Sequence, residues 1–420
     1  MTLARRLVAV LAASVPAATL PAAPVQQQPP AIRSGVELVM VDVHVVDRKG
    51  LPVPSLRPDQ FEVQIDGKRR SIVSAQLIEA STGLAQPAGG DGAAAAPADS
   101  TPIQPGNVYV LAIDQGSFRA VNAPSAMHAV REFVKRLNPN DYLGLISFPG
   151  PGATIDPTRD RETVLAAVPG IVGFTSIRQP RRFQYSLSDA VDVSSRDAEA
   201  RRRVIERACQ PNDMACPVEV ELELNEVATN LEAQGVRSFD GLRGAVTTAA
   251  SVPGRKTLVV VSAGIPSGDR TGGRVYLKSD ALNVGKLAAE SGMLLYTLHL
   301  NSRFLDAFSP DAPSVSQTLL REEGVYARGL ELFNGSAGGT FLDVTTGPDF
   351  AIDRVIRETS KYYLLGVEPE AADRDGKPHQ IRVRVKQGGT NVRNRPMVVI
   401  PKPGTQAGRT TPRPISTTRE

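Results

Sequence analysis

The sequence predicts an α/β protein whose doubly wound, mostly parallel sheet is accompanied by a small β module formed from the N- and C-terminal segments. Three observations predict it. Val108 to Ile113 and Thr257 to Ser262 are short, nearly continuous apolar runs, the composition of strands covered on both faces. Segments of helical periodicity separate such runs, and recurring strand–helix–strand connections imply a parallel sheet with helices on both sides. At each end of the chain the period changes to two, with Val39, Val41, Val43 and Val45 near the start and Ile381, Val383 and Val385 near the finish. That alternation in β-branched residues marks half-buried strands.

The elements follow in order. Arg5 and Arg6 precede an Ala-rich apolar run from Leu7 to about Leu20, then Ala22 and Ala23. A basic start, a short apolar core and a small-residue cleavage zone mark residues 1–23 as a secretory signal peptide. The run falls short of the ~20 residues that cross a bilayer and contains Pro16. No later segment is apolar enough to span a membrane, so the mature chain is expected in the periplasm or outside the cell. Residues 35–78 read as a β module, with a turn at Lys49-Gly50, alternation at Phe61, Val63 and Ile65, and a hairpin signal at Asp66-Gly67. Residues 79–106 are rich in Ala, Pro, Gly and Ser and read as a linker.

Residues 107–360 form the α/β domain. Ala126, Ala129, Val130, Phe133, Val134 and Leu137 recur at helical spacing, and Asn138-Pro139 ends that helix. Tyr142 to Phe148, Met293 to Leu298 and Thr340 to Val344 read as further strands. Phe239 to Ser251, Ala281 to Glu290 and Asp349 to Ser360 read as helices. Residues 176–235 break the rhythm and read as an insertion of two polar helical segments, the second from Val218 to Ala233. Arg201-Arg202-Arg203 in the first reads as a solvated face. Residues 361–401 return to β signals, with Tyr362 to Val367, a turn at Asp375-Gly376 and Val398 to Ile400. Residues 402–420 are Thr- and Pro-rich and read as a disordered tail. Isolated hairpins are marginal in water, so the two terminal β segments are expected to pack together.

Composition narrows the function. A chain of 420 residues with 41% hydrophobic and 22% charged content is ordinary for a globular protein. The formal charge of +4 falls by two once Arg5 and Arg6 are removed. Such a surplus favours neither nucleic acid nor an anionic membrane. Cys209 and Cys216 flank a short Pro- and Asn-containing loop, which favours a local disulfide in an oxidising compartment. A zinc site would need a second cysteine pair or a nearby histidine. The histidines, His44, His128, His299 and His379, lie in separate elements, and only His299 follows a buried strand. No Gly-x-Ser-x-Gly elbow is present, and Gly254-Arg255-Lys256-Thr257 lacks the upstream glycine of a phosphate loop.

Several segments in order carry a resemblance. They are Val41-Asp42-Val43 through Gly50, Leu56 to Gly67, Val108 to Asp114, Gly254 to Thr257 with Ser262-Ala263-Gly264, and Tyr362 to Gly366 followed by Gly376-Lys377-Pro378-His379. Over roughly residues 35–400, the insertion excepted, the chain resembles von Willebrand factor A-like proteins, and in particular the bacterial (acidobacterial-type) VWFA-related family. The resemblance implies a metal-ion-dependent adhesion site in which Asp-x-Ser-x-Ser after the first strand, a Thr and a second Asp ligate a divalent cation. Mg²⁺ needs several hard oxygens near octahedral geometry. Here Asp114 matches the first ligand, but the serine positions fall on Gly116 and Phe118 and the second aspartate on Ala263. Ser117 lies one residue out of register, and Ser238 stands where the threonine is implied. Asp114, Ser117 and Ser238 are therefore degenerate candidates for Mg²⁺, and no cofactor is expected. The other reading of Asp114 is a hydrogen bond to its own loop.

The expected function is an exported, non-catalytic protein-interaction module. Its partner, a protein, would meet loops containing Gln115, Gly116, Phe118, Gly264, Asp269 and His299. Two other readings stand beside it: a structural component of an envelope assembly, and a hydrolase using Asp114 and His299.

Overall fold

The computed structural model describes residues 38–79, 107–173, 182–252, 254–301, 316–345 and 347–402. The expected signal peptide, the linker from residue 80, the start of the insertion and the tail from residue 403 lie outside them. The described residues fall within one compact unit, Leu38–Glu420. It is a mixed α/β structure with one mostly parallel sheet and one curled antiparallel sheet.

The antiparallel sheet begins with β1 (Val39–Asp47), β2 (Phe61–Ile65) and β3 (Lys68–Glu79). The middle of the chain then supplies β4 (Val108–Asp114), β5 (Tyr142–Phe148), β6 (Thr154–Thr158), β7 (Lys256–Ser262), β8 (Leu294–Leu300) and β9 (Thr340–Val344). After these come β10 (Lys361–Glu368), β11 (Pro378–Val385), β12 (Thr390–Asn394) and β13 (Met397–Val399). The first sheet has the order β12-β1-β10-β3-β2-β11-β13. Strands from the two ends of the chain interleave there: β1 pairs with β10 and β12, and β2 with β11. Its core is the alternating set read from the sequence, with Val41, Val43 and Val45 against Tyr363, Leu365, Val367, Ile381 and Val383. The Tyr363 hydroxyl donates to the Val53 carbonyl at 2.8 Å and accepts the Leu56 amide at 2.9 Å, which fixes the loop before β2 beneath the sheet.

The second sheet has the order β6-β5-β4-β7-β8-β9, parallel except for β6. Chain order reverses direction between β4 and β7. Ligands of such sheets sit outside the carboxyl ends of the strands at that reversal. Helices α1 (Ala123–Arg136) and α8 (Asp349–Ser360) cover one face through Ala126, Val130, Phe133, Ile352 and Val355. The other face is covered by α5 (Cys216–Ser251), α6 (Lys278–Glu290) and α7 (Ser316–Ala337), through Phe239, Leu242, Val246, Val284, Leu330 and Phe333. A short α2 (Arg161–Ala167) starts at Asp160, whose carboxylate accepts the Glu162 and Thr163 amides. No helix among the described residues is long and apolar enough to cross a membrane.

Helices α3 (Leu187–Ser194), α4 (Ala198–Ala208) and the first half of α5 make up the inserted region. They carry their own small cores around Tyr185, Val204, Val220 and Leu224, and around Val191, Leu231 and Tyr326. Cys209 and Cys216 are paired at disulfide distance, with sulfurs 2.05 Å apart. Sequence and structure differ in one consequential way here. The segments expected at Val218–Ala233 and Phe239–Ser251 are a single 36-residue helix. Buried positions at Ala228, Leu231, Gly235, Ser238 and Phe239 keep helical spacing through the stretch in which polar residues had suggested a break. The insertion therefore has no boundary at residue 235, because α5 runs from it straight over the parallel sheet.

The two sheets meet at a buried polar junction. His44 on β1 bonds the Glu358 carbonyl through Nδ1 at 2.6 Å, and its Nε2 lies 2.9 Å from Arg255. A carbonyl only accepts, so Nδ1 carries the proton and Nε2 receives the Arg255 guanidinium. Burial, followed by the charge of Arg255, pushes His44 down to about 3. Arg255 in turn stacks 3.6 Å from the Tyr362 ring centroid.

Candidate functional site at the carboxyl edge of the parallel sheet

Asp114 ends β4 and Ser262 ends β7, so the two stand side by side at the order reversal. Asp114 is 0% exposed. The Ser262 hydroxyl donates to Oδ2 at 2.9 Å, and the Ser238 hydroxyl, from α5, donates to Oδ1 at 3.4 Å. The Gly116 and Ser117 amides also donate to the carboxylate. Even so, burial outweighs these donors and pushes Asp114 up to about 7. Both carboxylate oxygens are thus engaged within the protein, in a setting that favours the neutral acid.

The neighbouring groups fasten the loops together. The Ser117 hydroxyl donates to the Asp114 carbonyl at 2.7 Å and accepts the Ala263 amide at 2.8 Å. Ser262 accepts the Gly264 amide at 3.1 Å. Gln115 donates from Nε2 to the Pro149 carbonyl at 3.1 Å, and Gln234 on α5 donates to the Gly116 carbonyl at 3.2 Å. The loops after β4, β5 and β7 and helix α5 are tied into one closed edge.

Steric fit favours glycine at two of these positions. A Cβ at Gly116 would lie 2.8 Å from Pro149 Cδ, so a serine side chain has no room there. Gly264 has φ of +116°, and a Cβ would come within 2.7 Å of Tyr326 Cβ on α7. Phe118 contributes its ring to the core between the sheet and α1. A serine introduced by Gly116→Ser is expected to cost about 1–3 kcal/mol through overpacking. A thermal melt should show a lower midpoint, and Mg²⁺ should not raise it.

The residues expected to face a partner are mostly covered, which corrects that expectation. Gln115 is 3%, Phe118 2% and His299 3% exposed. Gly116 and Gly264 are buried as well, and only Asp269 is exposed. Gly116 is covered by Pro149 and Gln234, and Gly264 by Tyr326, while Phe118 sits in the core against α1 and His299 lies within β8 beside Asp343 and Phe341, none of which a sequence-local reading of the loops reveals. His299 pairs in register with Ser262 on one side and Asp343 on the other. Its Nδ1 lies 3.1 Å from Asp343 Oδ1. Asp114 and His299 are thus separated by β7, and the one hydroxyl between them is committed to Asp114 and the Gly264 amide.

The donor set does not fit Mg²⁺. Asp114 supplies one carboxylate, Ser117 is used as a loop clip, and Gly116, Phe118 and Ala263 bring no side-chain oxygen. Among the described residues no group of three or more His, Cys, Asp or Glu could hold a metal ion. Sequence reasoning missed Ser262, Gln234 and Pro149. Ser262 had a usable signal, since strand order 3-2-1-4-5-6 in a doubly wound sheet places the end of the fourth strand beside the end of the first. Gln234 and Pro149 had none.

No protein-family model matches the chain, and no curated protein matches it by sequence. Among solved structures, the crystal structure of the SpRpn10 VWA domain is similar to it at 10% identity and a TM-score of 0.23. That match covers 59% of this chain and 93% of the other.

Proposed function

We propose that this protein is an exported, non-catalytic protein-interaction module of the von Willebrand factor A type, from the bacterial VWFA-related family, in which the adhesion site works without a cation. The observation that supports this reading most is the closed edge at Asp114. Where an adhesion site would hold a metal at an open carboxylate, the carboxylate is buried and bonded by Ser238 and Ser262. A partner then meets the rim around that edge, including Asp269, and not a metal held at its centre. The N-terminal basic and apolar pattern supports export, and the paired cysteines suit an oxidising compartment.

The test is capture of partners by the tagged mature chain from envelope extracts, run in parallel with chelator and with added Mg²⁺. The same partner set is expected in both, with binding reduced by changes on the exposed rim such as Asp269→Lys. A partner retained only with Mg²⁺ would overturn cation-independent binding. Turnover of a substrate abolished by His299→Ala would overturn the non-catalytic reading.

A further inference from the structure

The small net charge hides a segregated surface on the antiparallel sheet, away from the carboxyl edge. Alternation sends Phe61, Val63, Ile65, Ile381 and Val383 into the core, so their neighbours along β2 and β11 point outward. In register, Arg382 pairs with Gln64 and Gln64 with Arg69, which places three strands' side chains in one outward row with arginine at each end. The next row sets Arg384 beside Glu62. Lys386, just past the end of β11, is exposed and donates from Nζ to the Asp59 carbonyl at 2.7 Å. Neighbouring strands lie ~4.8 Å apart and alternate residues ~7 Å apart, so these cations form a two-dimensional array about 10 Å across.

Glu62 is the acidic side chain of these rows and is already bound by Arg69 at 3.2 Å. Arg382 and Arg384 are exposed and have no ion-pair or hydrogen-bond partner among the described residues. Both stand on a rigid strand over a packed core. On the same face, β13 adds Met397, paired with Gln380, and Val399, which is 53% exposed. The sequence beyond β13 continues the charge bias, with Lys402, Arg409, Arg413 and Arg419 against Glu420.

We propose that this sheet face is a docking surface for an anionic phospholipid membrane. Unpaired guanidiniums bind phosphate oxygens in bidentate fashion. The cations spread over three adjacent strands in two rows, which suits many phosphates on a surface better than a single extended acidic chain. An exposed aliphatic, Val399, at the rim of a cationic face suits the headgroup boundary. Such contact is peripheral and leaves the carboxyl edge of the other sheet free for a protein partner. It stands independently of how that edge functions.

The test is co-sedimentation of the mature chain with mixed phosphatidylcholine–phosphatidylglycerol vesicles and with pure phosphatidylcholine vesicles. Binding is expected on the anionic vesicles only, and it should be lost at about 0.5 M salt, where screening is strong. A surface cation is worth about fivefold in partition, so Arg382→Gln with Arg384→Gln should weaken binding about 25-fold while leaving the melting midpoint unchanged. Should that double variant fail to fold, Arg69→Gln should weaken binding about fivefold. Equal partition of wild type and these variants, or no preference for anionic vesicles, would overturn the proposal. Binding to soluble polyglutamate or a sulfated polysaccharide without vesicle binding would also overturn it and reassign the face to an acidic polymer.

Discussion

Replacing Glu358 by alanine is expected to cost about 2–4 kcal/mol, because it leaves the partly exposed guanidiniums of Arg354 and Arg393 and the buried Tyr296 hydroxyl without their acceptor. Glu358 sits on α8 and is 0% exposed. Its carboxylate receives Arg354 at 2.8 Å, Arg393 at 2.7 Å and the Tyr296 hydroxyl at 3.0 Å. Arg393 belongs to β12 of the antiparallel sheet and Tyr296 to β8 of the parallel one, so a single carboxylate joins the two layers through α8. The Glu358 backbone carbonyl holds His44 of β1 at the same place. Urea unfolding followed by circular dichroism should show one transition, displaced to lower denaturant in Glu358→Ala. Glu358→Gln keeps acceptor and donor atoms and should lose less. A loss under about 1 kcal/mol for the alanine variant would mean that the junction is not what couples the sheets.

Asp114→Asn is expected to change how stability depends on pH. The folded-state value of Asp114, about 7, lies above its ordinary 3.8. Between those values the folded protein holds a proton that the unfolded chain releases. The stabilisation is full below the unfolded value and disappears as pH rises through about 7. From pH ~5 to above 7 this amounts to about 3 kcal/mol, at 1.36 kcal/mol per unit. The asparagine variant is uncharged throughout and escapes that loss, so its stability relative to wild type should rise by about 3 kcal/mol between pH ~5 and pH ~8. His44 has the opposite sign. Its folded value, about 3, lies below its ordinary 6.5, so its contribution is present above 6.5 and is lost as pH falls toward 3. The two slopes oppose each other between about pH 4 and 6.5, which is why the single variant, and not the wild-type profile, isolates Asp114.

Much of the architecture was legible in the sequence because it rests on burial. Val108 to Ile113 and Thr257 to Ser262 are apolar on both faces since helices cover both, and the alternation at Val41, Val43 and Val45 survives as one face of the curled sheet. The unbroken α5 was not legible, because Gln234, Gly235 and Arg237 locally resemble a helix end and only packing over the sheet edge shows otherwise. A helix before the strand at Thr340 was legible but the extent of α7 was not, since Arg321, Glu322, Glu323 and Gly324 dilute its apolar face near the start. At the site, the absence of side-chain oxygens at Gly116, Phe118 and Ala263 could be read directly. Ser238 was legible as a candidate and Ser262 could have been from strand order, but Pro149, Gln234 and Tyr326 could not be, because they come from separate stretches that only the folded edge brings together. The charged array on β2, β3 and β11 was masked for the same reason: total charge says nothing about which face carries it.

The central claim is that the carboxyl edge at Asp114 is closed by its own protein and does not depend on a cation. Calorimetric titration of the mature chain with Mg²⁺, Mn²⁺ and Ca²⁺ tests it most directly, at pH ~8, where Asp114 is ionised and a metal has its best opportunity. No saturable heat is expected for any of the three ions, in wild type or in Asp114→Ala. Saturable binding in wild type that disappears in Asp114→Ala would contradict it.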